Sequence, residues 1–144
     1  MGYTNYWTPN KEKIDTIKTF PKAMLDQMRN VAEQYNKSVF KNQKVGIELT
    51  PTSIVVTGSC EGFEFDLERN SHTNDRIGVD SWKFCKTCRE EYDVVVKSFL
   101  MILKRNEFIT DWSHDDNNSC DTYKNAIKFA KKCGIDTRGL YAKR

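Results

Sequence analysis

The sequence predicts an α+β fold in which an antiparallel sheet of four or five strands carries two or three helices on one face. Three observations predict this class. Short segments in which apolar and polar residues alternate follow one another between residues 45 and 67. The links between them are short and contain Pro51 and Gly58, which is typical of an antiparallel meander. Apolar stripes of helical period, at 24–35 and 92–103, flank this region and can cover it.

The first element is the run GYTNYW, whose aromatic and small polar residues favour a strand. Alternation places Tyr3, Asn5 and Trp7 on one face and Thr4 and Tyr6 on the other. Both faces then carry a ring and a hydrogen-bonding group. Two interpretations stay open: a mostly buried strand with polar tips, and a strand that lines a ligand site.

A helix is predicted behind Pro21, because proline is tolerated in the first turn of a helix. Its apolar stripe consists of Met24, Leu25, Met28, Val31, Ala32 and Tyr35. The segment 11–19 is too polar to be assigned. Three strands follow at 45–49, 53–57 and 63–67, with their apolar residues on common faces and Glu48, Glu64 and Asp66 on the opposite faces.

The polar segment 68–81 is a long loop, and a central helix follows whose apolar stripe begins at Tyr92 and which ends near Arg105. Because apolar residues cover almost its whole circumference, we expect this helix to be buried on more than one side. Residues 107–112 predict a further strand.

A last helix is predicted to begin with Ser119 or Asp121 as its cap and to end before Gly134. The tail after Ile135 is basic and short, and we expect it to be loosely held. The sequence contains no internal repeat. A chain of 144 residues can bury about two-thirds of its unfolded surface, so we expect one core and a single α+β domain over residues 1–144.

Composition favours a folded protein over a disordered one, with 38% hydrophobic and 30% charged residues. The formal net charge of +3 is small and the charges are dispersed, so strong nucleic-acid binding is not expected. No run approaches the roughly 18 apolar residues of a membrane span. The opening residues have no apolar signal-peptide core, and the five irregularly spaced cysteines favour reduced thiols. We therefore expect a cytoplasmic protein with no membrane partner.

Two motifs have a functional and a structural interpretation. Cys85 and Cys88 form a CxxC, but the other cysteines and histidines supply no second ligand pair, so we expect neither metal nor redox use. The run His114-Asp115-Asp116 fits a metal or acid/base site, yet it is also typical of a solvated turn before a helix cap, which we prefer. Signatures of the common hydrolase and nucleotide-binding folds are absent from the sequence.

Lys86, Thr87 and Arg89 stand where the chain is predicted to start the central helix. Free N–H groups and the positive end of the helix dipole would then point to the same place as two cations and a hydroxyl, a combination suited to phosphate or carboxylate. The alternative is a solvated helix start in which these cations pair with the carboxylates that follow, at about 0–1 kcal/mol per pair. Both interpretations stay open.

Two short motifs resemble a known family. They are GYTNYW at 2–7 and FCKTCR at 84–89, followed by Tyr92-Asp93 and Asp111-Trp112. Small uncharacterised proteins of bacteriophages, prophages and some bacteria have a similar GYTHYW-like start and an FCKTARKPYD-like run before the central helix. Asn5 stands where that family has His, and Cys88 stands where it has Ala.

The resemblance implies that the aromatic strand and the start of the central helix form one site. Tyr6 and Trp7 would stack on a ring, Lys86, Thr87 and Arg89 would bind phosphate or carboxylate, and Tyr92, Asp93 and Asp111 would orient these groups. A ring beside an anion describes a nucleotide. The leading hypothesis is a phage or prophage protein in the host cytoplasm that binds a small anionic, nucleotide-like ligand without catalysis or cofactor and sequesters a host signal.

Two alternatives stay open. The first is a metal-assisted enzyme that hydrolyses a phosphoester with Asp93, Asp111, His114 or Asp115. The second is a non-catalytic viral protein-interaction module, in which the polar motifs only hold the fold together. Homo-oligomerisation is compatible with each of these hypotheses.

Overall fold

The computed structural model describes residues 3–68, 83–88 and 90–143, and it has the predicted α+β class. Its strands are β1 (Thr4–Pro9), β2 (Gly46–Leu49), β3 (Ser53–Thr57), β4 (Phe63–Asp66), β5 (Lys83–Lys86) and β6 (Ile109–His114). The helices bounded within these ranges are α1 (Lys11–Thr16), α2 (Lys22–Ser38), α3 (Asp93–Arg105) and α4 (Asp121–Lys132), with a short 3₁₀ helix at Lys41–Gln43.

The six strands form two separate antiparallel sheets, with strand orders β5-β1-β6 and β2-β3-β4. The prediction of one sheet with four or five strands is wrong in this detail. Both edges of β1 are occupied by β5 and β6, so β1 cannot also pair with the meander. The two sheets meet through side chains instead, and the ring centroids of Trp7 and Phe63 are 4.9 Å apart.

The second sheet is the meander that alternation predicts, with strand bounds within one residue of the prediction. Ile54 and Phe65 are cross-strand partners on the buried face. Glu48 and Glu64 both lie opposite Val55 on the other face. Period-two patterning therefore determined both the register and the facing of these strands.

The strand β5 was not predicted. Lys83–Lys86 pairs with β1, and its alternation turns Cys85 into the core while Phe84 and Lys86 face outward. The expected helix start near Lys86 and Thr87 is therefore wrong, since α3 begins only at Asp93. The free N–H groups of α3 do not lie at Lys86 as the sequence suggested.

The helix α3 is central, as its apolar circumference predicts. It packs against α2, α4 and β6, and ten of its 13 residues, Asp93 and Val95 through Leu103, are buried. Two of those ten, Asp93 and Lys97, are charged. A charged pair inside such a helix needs partners from neighbouring elements.

The last helix differs from the prediction at its start. Cys120, rather than Ser119 or Asp121, is the N-cap of α4, and its sulfur accepts a hydrogen bond from the N–H of Tyr123 at 3.4 Å. The helix ends before Gly134, as predicted. The φ of +85° at Gly134 is the left-handed conformation that glycine adopts at low cost.

The C-terminal tail is held in place as far as Lys143, in contrast to the expectation of a loose tail. Trp112 Nε1–H donates to Leu140 O at 2.9 Å, and the N–H of Lys143 donates to Trp112 O at 2.7 Å. The N–H of Ala142 donates to the Tyr123 hydroxyl oxygen at 2.9 Å. Leu140 and Ala142 are buried, so the tail completes the core beside β6 and α4.

Part of the predicted loop at 68–81 lies outside the described residues, from residue 69 onward. The unassigned segment 11–19 contains α1, whose N-cap Asn10 accepts a hydrogen bond from the N–H of Lys13 at 3.4 Å. Over the ranges that the structure describes, no helix has both the length and the hydropathy to cross a membrane.

The contact between Gly58 and the Tyr92 ring generates a prediction about stability. A Cβ atom added at Gly58 would lie 2.5 Å from two ring carbons of Tyr92. That ring is buried and its hydroxyl donates to Glu61 O, so it cannot easily move. Gly58→Ala is therefore expected to lower the free energy of unfolding by about 1–3 kcal/mol, measured by urea denaturation.

Gly46→Ala is the matched control. A Cβ atom there would lie 3.5 Å from the Thr57 Cβ, an ordinary contact, so the free energy of unfolding should change by about 0.5 kcal/mol or less. Equal effects of the two substitutions would contradict the close packing of Tyr92 over Gly58.

Candidate functional site

Four buried polar side chains, Asn5, Thr87, Asp93 and Lys97, meet at the first half of α3, and we call them the Asp93–Lys97 cluster. Lys97 is 0% exposed and Asp93 is 1% exposed. Lys97 Nζ donates to Asp93 Oδ2 and to Asn5 Oδ1, each at 2.7 Å. Asp93 Oδ1 accepts from Asn5 Nδ2 at 2.7 Å and from Thr87 Oγ1 at 2.6 Å. Asn5 thus bridges both members of a buried ion pair.

Three elements position the cluster. Asn5 points inward because it shares the inner face of β1 with Tyr3, as alternation predicts. Thr87 is held just after β5 by its N–H, which donates to Tyr3 O at 2.9 Å. Asp93 and Lys97 are one turn apart on α3, the spacing at which opposite charges on a helix meet.

Burying this ion pair carries a desolvation cost of several kcal/mol per ion. Hydrogen bonds from Asn5 and Thr87 offset part of that cost. Lys97 Nζ also lies 4.3 Å from the centroid of the Tyr3 ring, a favourable cation–π distance. Asp93 stands in the first turn of α3, where the positive end of the helix dipole favours a carboxylate. The cluster is stabilising only while these partners stay in place.

A second set of contacts leads from the cluster toward the surface. The Tyr3 hydroxyl and His114 Nδ1 are 2.5 Å apart, and His114 Nε2 is 2.8 Å from Asn118 Oδ1. A neutral imidazole with its proton on Nε2 fits both contacts, because it accepts from Tyr3 and donates to Asn118. Burial lowers the pKa of His114 below its usual value, which favours that neutral form. The His114 ring also stacks on Tyr123, with centroids 4.8 Å apart.

These contacts end at a cavity of about 620 Å³ formed by β6, the turn after it, α4 and the C-terminal tail. We call it the His114 cavity. Its lining residues are Ser113, His114, Asp116, Asn117, Asn118, Ser119, Lys124 and Lys143. Two lysines therefore line the same space as two asparagines, two serines and the carboxylate of Asp116. Lysine ammonium groups can bind an anion such as phosphate or carboxylate.

Three of the predicted site residues lie on the outer face of the first sheet. They are Tyr6 on β1, Lys86 on β5 and Asp111 on β6. Tyr6 lies opposite Phe84 on one side and Ser113 on the other, so these three side chains share that face. The Tyr6 hydroxyl donates to Asp115 Oδ1 at 2.7 Å, and this hydrogen bond raises the pKa of Tyr6. Ser113 also lines the His114 cavity, so Tyr6 is the cross-strand neighbour of one of its lining residues.

Two predicted aromatic residues point into the protein. Trp7 packs on Phe63, and its indole N–H has no hydrogen-bond partner among the residues that the structure describes. Tyr92 is buried, its hydroxyl donates to Glu61 O at 2.7 Å, and burial raises its pKa. Neither ring can stack on a ligand in this conformation.

Of the remaining predicted site residues, two are buried in the protein and one lies outside the described residues. Thr87 and Asp93 belong to the Asp93–Lys97 cluster and are buried. Arg89 lies outside the described residues. The structure therefore joins Asn5, Thr87 and Asp93 in one place, while Tyr6, Lys86 and Asp111 lie on the outer face of the sheet. The predicted set of ligand-binding residues stays a prediction.

The residues of the alternative hydrolase site lie in different surroundings. Asp93 is in the buried cluster, Asp111 is on the outer face, and Asp115 Oδ2 accepts from the N–H of Thr4 at 3.0 Å. His114 uses its ring nitrogens for Tyr3 and Asn118, as described above. Within 3–68, 83–88 and 90–143, no three His, Cys, Asp or Glu side chains are grouped so that they could share a metal ion.

Sequence reasoning missed Lys97 and the two lysines of the His114 cavity. A signal for Lys97 was present, because a lone cation four residues after Asp93 in an otherwise apolar helix suggests a buried pair. No local signal marks Lys124 and Lys143, since the fold of the C-terminal tail brings them together.

Comparisons with protein-family models, with curated proteins and with solved structures found no match to this chain. The resemblance to phage and prophage proteins stays a prediction. The candidate function therefore depends on the geometry of the described residues.

The buried ion pair generates a prediction about stability. Lys97→Met removes the cation and leaves the Asp93 carboxylate buried without its charge partner. We expect the free energy of unfolding in urea to fall by about 3–5 kcal/mol. The double variant Lys97→Met/Asp93→Asn should lose less than the sum of the two single losses, because it leaves no uncompensated charge.

Lys22→Met is the matched control, since Lys22 and Asp26 form an ion pair with the same spacing at 2.9 Å on the surface of α2. Solvent screens that pair, so its loss should leave stability almost unchanged. A Lys97→Met variant as stable as Lys22→Met would show that the buried pair does not matter to the fold.

The lowered pKa of His114 generates a prediction about pH. An unfolded histidine titrates near pH 6.5, and a lowered folded pKa means that the unfolded state binds more protons below that pH. The free energy of unfolding should therefore fall as the pH decreases from about 6.5 toward the folded pKa. His114→Gln should lack this component, measured as the difference between the two stability profiles from pH 5 to pH 8. If the stability of the His114→Gln variant and that of the unchanged protein varied in parallel with pH, the prediction would be wrong.

Proposed function

We propose that this protein binds a small anionic, nucleotide-like ligand at the His114 cavity without catalysing a reaction. The observation that carries the proposal is that Lys124 and Lys143 line one cavity, of which another lining residue, Ser113, is the cross-strand neighbour of Tyr6. The lysines can bind a phosphate or carboxylate, and the ring offers a surface for a base. The sequence suggested this class of ligand, but it suggested a different site for it.

The size and chemistry of the cavity support a ligand larger than a simple ion. Ligand pockets typically enclose about 300–1,000 Å³, and the His114 cavity encloses about 620 Å³. The amide of Asn117 and the hydroxyl of Ser119 line it beside the lysines. Asp116 supplies an acceptor for a hydroxyl or amino group of the ligand. A mononucleotide carries a phosphate that can bind to the lysines, and hydroxyl and amino groups that can form hydrogen bonds with the other lining side chains.

The hydrogen bonds of His114 support binding in preference to proton transfer. His114 is the strongest candidate for a general base at this cavity, but both of its ring nitrogens are within hydrogen-bond distance of protein atoms, at Tyr3 and Asn118. Its role in the proposal is to fix Asn118 and the cavity wall. Sequestration of a host signalling nucleotide in the host cytoplasm is the biological role that we propose from the resemblance to phage proteins.

A thermal-shift assay with mono-, di- and cyclic nucleotides, and with inorganic phosphate as a separate sample, tests the proposal. A nucleotide at 100 times its Kd adds about 2.7 kcal/mol of stability. We expect a rise in Tm of about 5–10 °C with at least one nucleotide and a smaller rise with phosphate. A flat response across the panel at millimolar concentration would overturn the proposal.

Variants locate the site and separate binding from catalysis. Lys124→Ala and Lys143→Ala should each weaken nucleotide binding about tenfold or more by calorimetry. Lys132→Ala is the control, because Lys132 is exposed on the same helix but does not line the cavity. The mass of the nucleotide should stay constant with and without a chelator. Conversion that stops on chelation would favour the hydrolase alternative.

A further inference from the structure

We propose that a groove beside the start of α3 binds a small organic cation that carries an alkylammonium group, such as a linear polyamine or free lysine. The groove consists of two adjoining cavities of about 530 Å³ and about 340 Å³. Tyr35, Glu90 and Glu91 line both cavities, and we call the combined space the Glu90–Glu91 groove. It shares no described lining residue with the His114 cavity, so this inference is independent of the function proposed above.

Two carboxylates lie where the cavities adjoin. Glu90 and Glu91 are exposed, and in the part of the chain that the structure describes neither of them forms an ion pair. Backbone hydrogen bonds fix the turn that carries them. The N–H of Glu90 donates to Thr87 O at 3.0 Å, and the N–H of Val94 donates to the carbonyl of residue 91 at 3.2 Å. Two unpaired negative charges held beside a cavity attract a cation to it.

A hydroxyl without a partner indicates the same class of ligand. Tyr35 of α2 is 3% exposed, and among the described residues its hydroxyl has no hydrogen-bond partner. A buried tyrosine usually finds such a partner. Because Tyr35 lines both cavities, an ammonium group in the groove can donate to this oxygen. Burial, together with the negative charges of Glu91 and Glu90, raises the pKa of Tyr35 to about 12, so the hydroxyl stays neutral.

Aromatic and amide side chains make the rest of the groove suitable for an alkylammonium ligand. The Phe129 ring packs edge-on against Tyr35, with centroids 6.2 Å apart, and it lines the smaller cavity. Tyr92 lines the larger cavity, where the absence of a side chain at Gly58 leaves room for its ring. Aromatic rings attract cations and also pack against methylene groups. Asn42 lines the larger cavity and can accept a hydrogen bond from a second amino group of the ligand.

The lining residues of the groove disfavour a metal ion and a simple anion. Over the described ranges, no three His, Cys, Asp or Glu side chains are grouped so that they could hold a metal ion. Among the described lining residues, Lys44 is the only cation, and Glu90 and Glu91 outnumber it, so an anion would meet net negative charge. Lys44 does offer a partner to the carboxylate of a ligand such as free lysine.

Isothermal titration calorimetry of the full chain with putrescine, spermidine and free lysine tests the proposal. We expect at least one of these amines to bind, and added salt to weaken binding because it screens the carboxylates. Binding of putrescine or spermidine would identify a polyamine site, and binding of lysine alone would identify an amino-acid site. Butane-1,4-diol, the uncharged counterpart of putrescine, should not bind. No binding of any of the three amines at millimolar concentration, or an equal response to magnesium chloride, would overturn the proposal.

Substitutions of glutamate locate the site. Glu90→Gln and Glu91→Gln should each weaken amine binding about tenfold, because each removes one negative charge from the groove. Glu33→Gln is the matched control, since Glu33 is an exposed glutamate of α2 that does not line the groove. It should leave the affinity unchanged. If Glu33→Gln weakened binding as much as Glu91→Gln does, the cation would respond only to the overall charge, and the assignment of the groove would be wrong.

Tyr35→Phe separates ligand binding from a structural role of the hydroxyl. The ring keeps its packing on Phe129, and no hydrogen bond to another described residue is lost, so the Tm without ligand should not fall. Amine binding should weaken about fivefold, because the ligand loses an acceptor. A variant with a lower Tm and an unchanged affinity would show that the hydroxyl serves the fold and not the ligand, which would contradict the proposed site.

Discussion

The arrangement of the whole structure depends on one interaction, the buried ion pair between Asp93 and Lys97. An ammonium group with no exposed surface is tolerated only when partners surround it. Those partners come from β1, from the segment after β5 and from α3, and Asn5 of β1 is 88 positions away from Asp93 in the chain. Asn5 and the Tyr3 ring reach Lys97 from the strand that lies between β5 and β6 and from its edge. We infer that the cluster specifies the arrangement of the first sheet on α3.

The two sheets contribute to the structure in different ways. The second sheet buries one face and supplies Phe63, which contacts Trp7 and lies 6.4 Å from the Phe99 ring, centroid to centroid, so it joins both sheets to α3. The first sheet uses both of its faces. Its inner face carries Asn5 of the polar cluster, and its outer face carries Tyr6 opposite Ser113, which lines the His114 cavity. The cavity adjoins the end of β6, where it is lined by His114, the cross-strand neighbour of Asn5, and by Ser113, the cross-strand neighbour of Tyr6.

Local patterns predicted the α+β class, the strands and facing of the meander, the common face of Tyr3, Asn5 and Trp7 on β1 and the central position of α3, because each depends on the period of side chains along the chain. They did not reveal β5, since Lys83–Lys86 becomes a strand only by pairing with β1. The fixed tail and the approach of Lys143 to Lys124 depend likewise on contacts between distant segments. None of the described residues in the predicted ligand-binding set lines the His114 cavity, because that cavity forms where the turn after β6, α4 and the C-terminal tail meet.

The double role of Asn5 restricts which amino acids evolution can place at that position. Its side chain offers a donor to the carboxylate and an acceptor to the ammonium group in the same small space. Among the common side chains, a neutral imidazole also combines one donor with one acceptor. Histidine and glutamine therefore keep a donor and an acceptor at this position, while aspartate would bring two negative charges together and leucine would leave both ions short of a partner.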